Sequence, residues 1–122
     1  MRKYGFDYHG VLDKYEVFRE MCNDFVVNGH EVHIITGEED TPKLRRELAE
    51  LKIQYTTVFS ITTYHKELGT EITLDENGSP WMDKGLWDRT KGDYCNLNSI
   101  DIHFDDTGQY KKYFKTPFCL VD

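Results

Sequence analysis

The stretch Tyr4-Gly5-Phe6-Asp7-Tyr8-His9-Gly10-Val11-Leu12-Asp13 decides how the chain is read. A short apolar run ends on an aspartate, a glycine follows where a turn is needed, and apolar residues resume toward a helix. This is the local pattern of a buried strand feeding a loop and a helix, with Asp7 left at the carboxyl end of the strand. Downstream, Phe18, Cys22, Phe25 and Val26 recur at i, i+4, i+7 and i+8, which predicts that helix. Asp13 is placed to cap it, with Glu16 three residues on as in a capping box, and Gly29 is placed to end it.

The same alternation continues. Val32-His33-Ile34-Ile35 reads as a strand buried on both faces and closes on Thr36-Gly37. Thr41-Pro42 is a helix start, with Leu44, Leu48 and Leu51 at helical spacing. A third strand is expected over 57–61 and a short helix over 64–68. The segment 70–82 reads as a small hairpin insertion turning at Asn77-Gly78. A helix follows over 83–98, interrupted in pattern by Gly85 and Gly92, then a fourth strand over 100–104, a short helix over 107–114 and a fifth strand over 118–121. Strands alternating with helices predict a single α/β domain over 1–122, a three-layer Rossmann-like arrangement around a mostly parallel five-stranded sheet with a minimal cap or none.

Composition bounds the function. A chain of 122 residues with 39% hydrophobic and 30% charged residues has enough apolar material for one core and is too hydrophobic for a disordered chain. The net charge of -7 excludes an extended nucleic-acid surface, which needs clustered Lys and Arg. No apolar run reaches the roughly 20 residues of a membrane span, and the start of the chain lacks a signal-peptide core, so a cytoplasmic protein is expected. Cys22, Cys95 and Cys119 are odd in number and widely spaced, and they read as reduced structural thiols.

In an open parallel sheet, ligands bind beyond the carboxyl ends of the strands. The polar residues expected there are Asp7, Thr36, and Asp105 with Asp106. Carboxylates converging on one sheet edge, with a hydroxyl beside them, form a site for a hard cation such as Mg²⁺.

Taken in order, the motifs are an apolar strand with Asp-x-x-Gly-Val-Leu-Asp, an apolar strand with Thr-Gly, a lysine, and an apolar strand with Asp-Asp. This order resembles the four motifs of the haloacid dehalogenase superfamily, from Tyr4 to Asp106, and within it the small members without a large cap. Lys91, 14 residues before Asp105, fits the lysine spacing of nucleotidase-like members, with Lys84 as the competing residue. The resemblance implies a Mg²⁺-dependent phosphatase in which Asp7 attacks a phosphoryl group to give an aspartyl-phosphate that water hydrolyses. It implies that Thr36, Lys91 and the backbone around Tyr8, His9, Gly10 and Gly37 hold the phosphoryl oxygens. Mg²⁺ would be held by Asp7, the main-chain carbonyl of His9, Asp105 and Asp106. The implied partner is a small phosphorylated substrate, a nucleotide among the options.

His9 departs from the family pattern, where a second aspartate protonates the leaving oxygen. Two expectations follow: His9 takes over the acid/base task, or the protein is an impaired relative that binds phosphorylated ligands or a protein partner. Taken singly the residues have plainer readings, Asp7 as a turn former and Asp105-Asp106 as a cap for the helix after them. A receiver-domain reading fails because its paired acids follow the first strand. His30, His33, His65 and His103 lack ligand spacing and read as structural or surface residues. Trp81, Trp87 and Tyr64 read as hairpin packing or as a lid that stacks on a base. Glu38, Glu39 and Asp40 add negative charge beside an anion site, and the sequence offers no reason for them.

Overall fold

Side chains alternate across each strand of the central sheet, and the alternation sets three layers. The computed structural model describes residues 1–77 and 79–122. In chain order its elements are β1 (Lys3–Phe6), α1 (Glu16–Val27), β2 (Glu31–Thr36), α2 (Pro42–Glu50), β3 (Thr57–Ser60), α3 (Ile61–Leu68), β4 (Thr73–Leu74), β5 (Pro80–Trp81), α4 (Lys84–Leu97), β6 (Ile102–Asp105) and β7 (Phe118–Leu120). A helical turn over Tyr8–Leu12 follows β1, and a 3₁₀ helix over Gly108–Tyr113 follows β6.

The main sheet has five strands in the order β3-β2-β1-β6-β7, and every pairing in it is parallel. On one face Phe6, Val32, Ile34 and Phe104 pack with Cys22 of α1 and Leu44 and Leu48 of α2. On the other, Ile35 packs with Cys95 of α4 and Ile100, flanked by Phe59 and Tyr94. The three-layer α/β architecture expected from the sequence is thus the one observed. β4 and β5 form a separate antiparallel ribbon. Of the turn expected at Asn77-Gly78, Gly78 lies outside the described residues. No helix among the described residues is long and apolar enough to cross a membrane.

Three helices are capped by the residue before them. Thr41 Oγ1 accepts from the Leu44 N–H, Ser60 Oγ from the Thr63 N–H, and Asp83 Oδ1 from the Leu86 N–H. The start of α1 differs from expectation. Tyr15 stands at its N-cap with no side-chain cap, and the capping box of Asp13 with Glu16 does not form. Asp13 is held one turn earlier, where its carboxylate accepts from the Gly10 N–H at 2.7 Å and meets the His9 ring at 3.0 Å.

From β1 the chain runs outward to β2 and β3, and from β6 it runs outward the other way to β7. The crevice between the carboxyl ends of β1 and β6 is therefore the point where the winding reverses, the place where open α/β sheets bind ligands. Asp7 ends one of these strands and Asp105 the other.

Gly92 does not interrupt α4, which runs unbroken from Lys84 to Leu97. It admits the 3₁₀ helix, because a Cβ at Gly92 would lie 2.6 Å from the Tyr113 carbonyl oxygen. At Gly85 a Cβ would come no nearer than 3.5 Å to another atom, the Asp83 Oδ1. Gly92→Ala is expected to destabilise by about 1–3 kcal/mol through overpacking. Gly85→Ala is expected to stabilise by roughly 0.5–1 kcal/mol through helix propensity. Urea denaturation midpoints of the two variants check both signs.

Candidate functional site

Lys91 sits on the face of α4 turned to the sheet and is 3% exposed. Its ammonium donates to Asp7 Oδ1 and to Asp105 Oδ2, each at 2.9 Å. Both carboxylates are buried too, Asp7 at 6% exposure and Asp105 at 0%. One ammonium thus bridges the ends of β1 and β6. Lys84 is elsewhere, exposed and bonded to Asp88 on its own helix, so the structure brings Lys91 and not Lys84 to Asp7.

Asp106 completes the group. Carboxylate oxygens of Asp7, Asp105 and Asp106 lie within 4.8 Å of one another, a set of hard oxygen donors that could hold a metal ion. Asp106 comes close because residue 10 has no side chain: an ideal Cβ on Gly10, whose φ is +87°, would fall 1.9 Å from Asp106 Oδ2. Three acids facing one ammonium leave uncompensated negative charge, and all-oxygen carboxylate sets suit Mg²⁺.

The three acids differ in their bonds. Asp105 is saturated: Oδ2 accepts from Lys91 and from His103 Nε2, and Oδ1 accepts from the Thr107 N–H. Burial works to raise its pKa, but the His103 hydrogen bond and the Lys91 charge outweigh burial and hold it below the ordinary carboxylate range. Asp7 goes the other way. Burial raises its pKa and the nearby charge of Asp105 adds to this, against the pull of Lys91, so the balance favours the neutral acid.

His103 is fully buried and stacks on Phe114, with ring centroids 5.1 Å apart. Burial holds its pKa below the ordinary value against the opposing pull of Asp105. The neutral ring gives its Nε2 proton to Asp105, and Nδ1 has no hydrogen-bond partner. Sequence reasoning placed His103 among the structural histidines. Its signal was the period of two in β6, which turns residues 103 and 105 to the same face.

The other expected residues fall around this centre. His9 lines the cavity, its side chain 56% exposed, with Nδ1 3.0 Å from Asp13 Oδ2 and Nε2 2.8 Å from Glu38 Oε1. Burial opposes its charge, but the hydrogen bonds to Glu38 and Asp13 prevail and raise its pKa. Its ring is engaged by these two acids and stands outside the acidic cluster. Thr36 is buried at the end of β2 and lines the cavity, its Oγ1 accepting from the Glu38 N–H. The Tyr8 N–H donates to Asp7 Oδ1, while its hydroxyl donates to Glu47. The Gly10 N–H is engaged by Asp13. Gly37 lines the cavity, and its carbonyl accepts from Thr62 Oγ1.

The cavity has a volume of about 610 Å³ and opens from Asp7, Lys91 and Asp106 toward Trp87, Tyr110 and the ribbon residues Leu74 and Pro80. No protein-family model, curated protein or solved structure matches this chain.

The acids that sequence reasoning left unexplained are each met by a cation. Glu38 meets the His9 ring, Glu39 accepts from Lys66 at 3.0 Å, and Asp40 receives two bonds from Arg45 at 2.8 Å. They bind the loop after β2 to its neighbours, with the His9 ring shared between Glu38 and Asp13. Of the aromatic residues singled out, Trp87 lines the cavity, whereas Trp81 is exposed and bonded to Asp75, and Tyr64 packs on Phe59.

A carboxyl whose folded pKa is raised adds stability while protonated and loses it as pH climbs past its ordinary value near 4 toward the raised one. Ionised Asp7 therefore weakens the metal-free fold at neutral pH. Asp7→Asn keeps an oxygen for Lys91 and removes that cost. In EDTA it is expected to be more stable than wild type at pH 8, by on the order of 1–3 kcal/mol, with the gap closing toward pH 4. Thermal unfolding across that range measures the gap, and a gap that widens on acidification contradicts the assignment.

Proposed function

We propose that the protein is a Mg²⁺-dependent phosphomonoester hydrolase of the haloacid dehalogenase type. The observation that carries this reading is the buried Lys91 bridge between Asp7 and Asp105, with Asp106 beside it at the switch point of a parallel sheet. Asp7 and Asp106 would hold the cation, with Asp105 as the third carboxylate of the set. When bound, the cation supplies charge neutralisation between the nucleophile and the phosphoryl oxygens.

The rest of the reaction belongs to the chain's own residues. An oxygen of the ionised Asp7 attacks phosphorus while the bond from phosphorus to the ester oxygen breaks, and the departing oxygen takes a proton from His9. Water then attacks the phosphorus of the aspartyl-phosphate and gives a proton back to His9. The phosphorus–Asp7 bond breaks, inorganic phosphate leaves, and Asp7 and His9 return to their starting forms. Lys91, the Thr36 hydroxyl and the Gly37 N–H are the donors available to the phosphoryl oxygens. Acids on both ring nitrogens favour the protonated form of His9, from which a proton reaches the departing oxygen by exchange for one of these two bonds.

The test is hydrolysis of p-nitrophenyl phosphate and of an alkyl phosphate with and without Mg²⁺. Wild type is expected to turn over both with the metal, and Asp7→Asn neither. His9→Ala should lower kcat/KM for the alkyl ester by about 10²–10⁴, since that leaving oxygen needs a proton. It should affect the nitrophenyl ester much less, because nitrophenolate leaves unprotonated. Full activity in Asp7→Asn would falsify the nucleophile assignment, and equal losses on both esters remove the acid role of His9.

A further inference from the structure

Asp7 and Asp106 line a cavity of about 610 Å³, within the roughly 300–1,000 Å³ of small-ligand sites. A phosphoryl group and a cation leave most of that space for the leaving group. Apolar and aromatic side chains form part of its wall, among polar ones such as Thr41, Asn77 and Ser79. Trp87 reaches it from α4, Tyr110 from the 3₁₀ helix, and Leu74 and Pro80 from the ribbon.

This wall is held in place by the same loop that would hold phosphate. An ideal Cβ on Gly37 would lie 2.7 Å from Trp87 Cζ2, so only glycine admits the indole there. The indole N–H is satisfied by the Tyr110 hydroxyl at 3.2 Å. Tyr110 in turn sits over the Lys91 ammonium, 5.2 Å from its ring centroid. Two aromatic rings are thus fixed by a hydrogen bond at one side of the space a leaving group enters. Fixed rings lose little entropy when a flat ligand stacks on them, and such stacking strengthens binding by roughly five- to a hundredfold per base.

We infer that the site takes nucleoside monophosphates, the base stacking against Trp87 and Tyr110 under Leu74 and Pro80 while the phosphate lies at Asp7 and Lys91. The inference rests on the phosphatase reading and adds the substrate class. A free mononucleotide fits better than a nucleic-acid end, because the further phosphates of an oligonucleotide would lie beyond the reach of a cation at Asp7, against a chain of net charge -7.

The decisive comparison is a nucleoside 5′-monophosphate against ribose 5-phosphate, which share the phosphoryl group and the leaving oxygen and differ in the base. With Mg²⁺, wild type is expected to favour the nucleotide by roughly tenfold or more in kcat/KM. Trp87→Leu should lower kcat/KM for the nucleotide more than for ribose 5-phosphate, collapsing that ratio by roughly five- to a hundredfold, and be rescued in large part by Trp87→Phe. An unchanged ratio in Trp87→Leu overturns the inference, as does a preference for a 5′-phosphorylated oligonucleotide over the mononucleotide. If neither small ester is hydrolysed, it is the phosphatase reading that fails, and binding decides the platform. In a Trp81→Phe background, quenching of the remaining indole by the nucleotide and not by ribose 5-phosphate upholds it, and the absence of quenching rejects it.

Discussion

A lysine with almost no exposure can stay charged only if its surroundings supply matching charge. At Lys91 they do so from two acids far apart in sequence but at the ends of adjacent strands: Asp7 follows β1 and Asp105 closes β6. Burial alone would strip the ammonium of its proton, and the two carboxylates reverse that and hold its pKa above the ordinary lysine value. The converse constraint falls on the acids. Each needs the lysine, and Asp105 also takes the proton of a fully buried histidine and a backbone N–H. The result is a carboxylate fixed on every side next to one, Asp7, that is bonded less fully and ionises less readily. The proposed nucleophile acts ionised, so its charge depends on Lys91 and on a cation joining the cluster.

The acidic surroundings have a different logic from the centre. Glu38, Glu39 and Asp40 follow β2 directly and would repel an anion if unpaired, but His9, Lys66 and Arg45 each take one of them. At the Asp7, Asp105 and Asp106 cluster three carboxylates face one ammonium. A cation held there would turn the local field from repulsive to attractive for a phosphate. An overall charge of -7 is then no obstacle to an anionic substrate, because the charges that matter are those within a Debye length, about 8–10 Å, of the reacting atoms.

The fold was legible because strands buried on both faces leave near-continuous apolar runs, as at Val32 to Ile35, and because caps such as Thr41-Pro42 mark helix starts locally. Asp7, Thr36, Asp105 and Asp106 were legible for the same reason: a polar residue at the end of an apolar run is a position in the fold before it is a role. What stayed hidden depended on contacts between distant segments. Asp13 reads as a helix cap by spacing, yet the left-handed turn at Gly10 brings the backbone N–H of residue 10 onto it first. Trp87 reads as one more aromatic near a hairpin, and only the packing of α4 against Gly37 turns it into the cavity wall. The pairing of His103 with Asp105 is local in sequence, but its weight comes from complete burial, which no spacing records.

His9 is where these lines meet. It links the turn after β1 to the loop after β2, bonding Asp13 on one side and Glu38 on the other across the mouth of the cavity. A charged imidazole between two acids is a favourable triad, and a neutral one leaves two carboxylates with one proton between them where there had been two. Giving up a proton is thus made harder and regaining one made easier. In the proposed reaction that asymmetry weakens His9 as an acid in the first step and strengthens its return from the neutral form in the second. Moreover, a departing alkoxide is a far stronger base than imidazole, so the first transfer tolerates the handicap, whereas water is a poor proton donor and the second step needs the help. In the proposed reaction the two acids that hold His9 would therefore act where the chemistry is hardest, at the proton transfer from water.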